Sequence, residues 1–83
     1  MDKHEKVTII LPTLNEEEAV GSVIDEILDV GYKNILIVDG NSIDKTREIA
    51  RSKQVKVVKQ DGKGKSDAIK KALEYVETEY ILI

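Results

Sequence analysis

Cysteine is absent from the 83-residue chain, which excludes both a disulfide staple and a Cys-based zinc site. Histidine occurs once, as His4 in a charged leader, where a solvated tail side chain is expected rather than a metal ligand. No metal ligands are therefore assigned. Apolar runs never exceed strand length, so no segment of this sequence is long enough to span a bilayer. The Met1–Lys6 leader lacks an apolar core and does not resemble a signal peptide, which makes a cytoplasmic location the expectation. Lys and Arg are scattered and the formal net charge is -3, which argues against gripping nucleic acid through a basic face. Charged residues are plentiful while Asn, Gln and Met are few, a balance seen in proteins from hot environments.

A chain this short makes one domain and buries only about 60% of its unfolded surface, so its core is thin. Val7–Leu11 reads VTIIL, a β-branched run expected to be a strand buried on both faces and ended by Pro12. Thr13 with Glu16 has the spacing of a capping box, and Asn15 with Glu18 offers a second cap. Val20, Val23, Ile24, Ile27 and Leu28 then fall on one helix face, stopped by Gly31. Glu16, Glu17 and Glu18 are expected in the first turn, where the helix dipole favours negative charge. Ile35–Val38 predicts a second strand closed by Asp39 and Gly40. Asp44 is a candidate N-cap for a helix through about Ser52, with Ile43, Ile49 and Ala50 facing inward. Val55–Val58 predicts a third strand and Asp61–Gly64 a glycine-rich turn. From Ser66 or Asp67 a third helix follows, with Ile69, Ala72, Leu73 and Val76 on one face. Tyr80–Ile83 begins a fourth strand.

The order β-α-β-α-β-α-β predicts an α/β fold: a three-layer, Rossmann-like parallel sheet with right-handed crossovers. The expected strand order is 3-2-1-4, with a switch point between strands 1 and 4. Residues 1–83 are read as a single, incomplete subdomain. One helix would cover a whole sheet face and the last strand ends bare, so self-association is expected.

Ligands of open parallel sheets bind beyond the carboxyl ends of the strands near the switch point. That rule selects three polar loops: Pro12–Glu16, Asp39–Asp44, which includes Asn41, and Asp61–Ser66. Asp39 either accepts a hydrogen bond from a base N–H or ribose hydroxyl, or caps the following turn. Glu16 either bonds a ribose or base edge or completes the capping box. Asp44 fits a cap better than a ligand. Lys63 and Lys65 flank Gly64 where amides and ammonium groups suit a diphosphate, or they are simply solvated.

Known motifs narrow the choice. Gly64-Lys65-Ser66 resembles the end of a phosphate-binding P-loop, but position 59 is Lys where that loop needs Gly. The dinucleotide fingerprint needs glycines after strand 1, and Pro12–Glu17 has none. The same stretch lacks the glycine-rich loop of sugar nucleotidyltransferases. A phosphoacceptor domain would want an Asp ending strand 3, which ends in Lys59 instead, and there is no Ser-His-Asp or Cys-His set, so no catalytic residue is assigned.

Three stretches in order carry a family resemblance: VTIILPTLNE at Val7–Glu16, ILIVDGNSIDKT at Ile35–Thr46, and GKGKSDA at Gly62–Ala68, followed by an amphipathic helix and YILI. Together they resemble the opening of a family 2 glycosyltransferase of the GT-A fold, most similar to dolichyl-phosphate mannose and glucose synthases. The resemblance runs from about Lys6 to Ile83. It implies that Pro12, Thr13, Leu14 and Glu16 border the base and ribose of a uridine or guanosine diphosphate sugar. Asp39 matches a carboxylate that reads the base, Asn41 lies in the same loop, and Lys63 and Lys65 approach the nucleotide. Departures are Leu14, where an aromatic is common, and Gly40-Asn41, where a second Asp and a Gly are usual.

In the family, the strand matching Tyr80–Ile83 runs into an Asp-x-Asp motif that holds Mg or Mn on the diphosphate. The parent protein is thus expected to use a divalent cation and to transfer a hexose, with inversion, to a polyprenyl or dolichyl phosphate at the cytoplasmic membrane face. The 83 residues alone are expected to be inactive. The alternative is a non-catalytic nucleotide-binding or self-associating module.

Overall fold

The computed structural model describes residues 3–60, 70, 73, 78 and 80–82, the last three and residues 3–4 by backbone only. After a short 3-10 turn at Lys3–Lys6 come β1 (Val7–Thr13), α1 (Val20–Val30), β2 (Asn34–Asp39), α2 (Thr46–Ser52), β3 (Lys56–Lys59) and β4 (Tyr80–Leu82). The strands form one parallel sheet in the order β3-β2-β1-β4.

Alternation along the central strands builds two cores. Ile9, Ile35 and Ile37 pack with Val20 and Ile24 of α1 and Ala50 of α2. Ile10, Leu36 and Val38 form a second buried cluster on the other face, with Val58 against it. Every residue of β2 after Asn34 is buried, whereas β3 is an edge strand with exposed Lys56 and Lys59 at its ends. The helix expected from Ser66 or Asp67 lies almost wholly outside the described residues. Lys70 and Leu73 are described and helical. Leu73 was expected to face inward but is half exposed.

Gly31 ends α1 as expected. Its φ of 115° is left-handed, and its N–H closes on the Leu28 carbonyl. The start of α1 differs from the expectation. β1 continues through Pro12 to Thr13, which pairs with Asp39, and the helix begins only at Val20. Neither expected cap is made, so Glu16, Glu17 and Glu18 precede the helix rather than occupying its first turn. Ile43, expected to face inward, precedes α2 and is 94% exposed. The reason in each case is that loop polar groups bond across to another loop rather than to their own helix.

Candidate nucleotide site at the strand ends

The carboxyl ends of β1, β2 and β3 are level: Thr13 pairs with Asp39, and Asp39 with Lys59. The ladder extends one step further, with the Gly40 N–H donating to the Thr13 carbonyl (2.8 Å) and the Gln60 N–H to the Asp39 carbonyl (2.7 Å). The three segments that leave these ends therefore start side by side.

Asp39 lies beneath them with no exposed surface. Its Oδ1 accepts from the hydroxyls of Thr13 (2.8 Å) and Ser42 (2.6 Å). Its Oδ2 accepts from the Ser42 N–H (2.8 Å) and from Arg47 Nη1 (2.7 Å). A carboxylate offers about four lone-pair sites, so its acceptor capacity is filled. Burial pushes the Asp39 pKa up, but the Ser42 hydroxyl and N–H, Thr13 and Arg47 together hold it below the usual carboxylate value.

Above this knot the first two loops are laced to each other. The Asn15 N–H donates to Ser42 Oγ (2.8 Å), and Asn15 Oδ1 accepts from the Ile43 N–H (2.9 Å). The Glu16 N–H donates to Thr46 Oγ1 (2.8 Å). The Glu17 N–H donates to Asp44 Oδ2 (3.2 Å), while Glu17 Oε2 accepts from the Lys45 N–H (3.1 Å). Asp44 Oδ1 accepts from the Thr46 N–H (2.9 Å) and hydroxyl, but the N-cap of α2 is Lys45, one residue later than expected, so Asp44 braces the turn before the helix rather than capping it. Burial works against the Asp44 charge, yet these donors lower its pKa. Asn15 and Asn41 take left-handed φ values of 51° and 68°, conformations that asparagine tolerates better than most residues.

Strand parity sorts the predicted residues onto two faces. Thr13 and Asp39 continue the rows of Ile9 and Ile37 on the α1–α2 face, where both are buried. Pro12, Leu14, Gly40 and Gln60 continue the rows of Ile10, Val38 and Val58 on the other face. A Cβ built on Gly40 would meet the Thr13 carbonyl oxygen at 3.4 Å, Gln60 Oε1 at 3.5 Å and Leu14 Cδ1 at 3.7 Å. Asp39 was expected either to read a base or to cap the turn that follows; here it points into the α1–α2 face and accepts from the Ser42 N–H of that turn, which is the second of the two. Pro12 is half-buried, and Leu14, Glu16 and Asn41 are exposed on the rim. Lys63 and Lys65 lie outside the described residues. Sequence reasoning missed Ser42 and Arg47 as partners of Asp39; the alternation Ile35, Ile37, Asp39 was the signal that placed Asp39 inward.

Among the described residues no three His, Cys, Asp or Glu side chains converge to cage a metal ion. Asp44 and Glu17 of the two loops each spend acceptor sites on backbone N–H groups, and among the described residues no set of carboxylates is arranged to hold a diphosphate-bound cation.

A family model for glycosyl transferase family 2 matches residues 8–83. The chain belongs to glycosyltransferase family 2. A family relative, glycosyltransferase AglJ of Haloferax volcanii, is 39% identical over 84 residues, covering 100% of this chain and 28% of that protein. The dolichyl-phosphate hexose transferase of the same organism is 39% identical over 70 residues, covering 81% of this chain and 30% of its own length. Among solved structures, glucosyl-3-phosphoglycerate synthase from Mycobacterium tuberculosis in complex with uridine diphosphate superposes with a TM-score of 0.83 at 25% identity, over 93% of this chain and 32% of that one. Other structures of that enzyme contain Mn2+ with UDP-glucose, or Mg2+ with UDP. Mannosyl-3-phosphoglycerate synthase from Rubrobacter xylanophilus gives 0.82 at 31% identity, over 88% of this chain and 28% of that one. The chain thus spans less than a third of the length of these relatives. Its fold is that of part of a Rossmann-like GT-A glycosyltransferase.

Proposed function

We propose that this chain forms the donor-binding half of a glycosyltransferase that moves a hexose, with inversion, from a uridine or guanosine diphosphate sugar to a polyprenyl or dolichyl phosphate. The observation that carries this reading is the laced rim. Backbone and side chains of residues 15–17 and 42–46 are bonded reciprocally at level strand ends, the crevice where parallel sheets take ligands. The uridine nucleotides in the similar synthase support the donor class. The dolichyl-phosphate hexose transferase supports a lipid-phosphate acceptor, which would bring the reaction to a membrane surface.

In this reading the base lies over Pro12, Leu14 and the Gly40–Asn41 turn. Glu16 borders the ribose, and Lys63 and Lys65 serve the diphosphate. Thr13 and Asp39 act from beneath by fixing both loops. The divalent cation, whose positive charge stabilises the leaving diphosphate, is held by residues of the whole enzyme other than those described. Among the described residues no helix is long and apolar enough to cross a membrane.

The test is a titration of uridine and guanosine diphosphates, with and without Mn2+, followed by NMR chemical shifts. Weak binding is expected, with shifts confined to residues 12–16 and 39–41, and Leu14→Asp should abolish it. Saturating nucleotide that leaves those resonances unmoved overturns the proposal.

A further inference from the structure

We infer that Thr46 is a positioning residue that holds Glu16 against the ribose of the donor. The inference rests on the donor-site reading above and names the buried group on which its ribose contact depends.

Three observations lead to it. The first is which carboxylate is left to meet a ligand. Asp39 is buried and its acceptor sites are filled. Asp44 accepts from two backbone N–H groups and a hydroxyl, and Glu17 from the Lys45 N–H. Glu16 is exposed on the rim, and its side chain makes no hydrogen bond or ion pair among the described residues. Glu18 is exposed too, but lies further from the end of β1. The second is the backbone of Glu16. Its N–H donates to Thr46 Oγ1 at 2.8 Å, and its carbonyl accepts from the N–H groups of Ala19 (3.0 Å) and Val20 (2.8 Å). One polar group is thus committed to the start of α2 and the other to the start of α1, which leaves the side chain as the part that can turn. The third is Thr46 itself, which has no exposed surface. A hydroxyl has one proton to give. Thr46 gives it to Asp44 Oδ1, so a lone pair remains for the Glu16 N–H.

The chemistry fits a particular edge of the donor. The 2′ and 3′ hydroxyls of a ribose are adjacent donors, and an ionised carboxylate offers two acceptor oxygens. Such a pairing contributes to affinity only to the extent that the carboxylate is already in place. A residue with both backbone groups pinned has little ordering left to lose when the sugar arrives. Valine at position 46 would fill the same space and hold nothing.

The experiment is an NMR titration of the protein with uridine and guanosine diphosphates, each beside its 2′,3′-dideoxy counterpart. The wild-type protein is expected to favour the ribose form about tenfold, as one hydrogen bond to a charged acceptor allows. Glu16→Ala should bring that ratio to one. Thr46→Val should lower the ratio to about threefold or less while leaving dideoxy affinity within about twofold of wild type. Thr46→Ser, which keeps the hydroxyl, should retain the wild-type ratio. Added to Glu16→Ala, Thr46→Val should change the ratio no further, because the two act through one contact. Circular dichroism establishes that each variant is folded. If Thr46→Val is not, Asp44→Ala decides: it leaves the hydroxyl in place but removes the acceptor that orients it, and should lower the ratio likewise. Folded Thr46→Val that weakens ribose and dideoxy forms equally, at the wild-type ratio, overturns this inference and leaves the donor site standing. So does wild-type protein that binds nucleotides without preferring the ribose form. Wild-type protein that binds neither nucleotide removes the donor site, and this inference with it.

Discussion

Four donors converge on the two oxygens of Asp39, and only one of them, Arg47, carries charge. Arg47 keeps about a quarter of its side chain exposed while its partner has none. A buried carboxylate with such company is stabilised as the anion, and breaking the pair from either side leaves an unbalanced group. Asp39→Asn is expected to cost about 3 kcal/mol, and Arg47→Met about 2 kcal/mol, by urea denaturation at neutral pH. The pH dependence follows from the lowered pKa. The unfolded chain takes up a proton near the ordinary value of 3.8 and the folded chain only below it. The stabilisation is therefore complete above that value and drains away as pH falls through the lower folded value. Asp39→Asn should lose stability less steeply on acidification than wild type; parallel acid slopes would assign the effect to other carboxylates.

At the scale of elements, the strands and the end of α1 were legible in sequence because local chemistry decides them. β-branched runs at Val7–Leu11 and Ile35–Val38 have nowhere to go but a buried sheet. Gly31, at a φ of 115°, sits where a Cβ is strained. Gly31→Ala is expected to lower the stability of the protein by about 1 kcal/mol, measured by thermal unfolding, with the fold retained. The start of α1 was not legible. Thr13, Asn15 and Glu16 have the right residue types and spacing for caps, but their partners are Asp39, Ser42, Ile43 and Thr46, some 26 to 30 residues away. Local spacing cannot show a distant competitor for the same donor. Of the candidate site, the rim segments at residues 12–16 and 39–44 were legible at the strand ends, but not their individual roles, and the segment at residues 61–66 lies outside the described residues. Asp39 lies at the strand end as expected, but the pleat turns it to the helix side.

For the whole molecule, two clusters of modest size sandwich a sheet whose central strands are the best buried part. Loops above such a sheet are normally its loosest region. Here they are bonded to each other through amides of Asn15, Glu16, Glu17, Ile43 and Lys45. Deuterium labelling should reveal the result: amides of Asn15, Glu16, Ile43 and Thr46 protected on the timescale of the β2 ladder, despite lying outside any strand. Exchange as fast as in a free peptide would show that the lacing opens independently of the sheet. A rim that closes with the fold has surrendered its conformational freedom before a donor arrives, so little ordering penalty remains for the encounter itself.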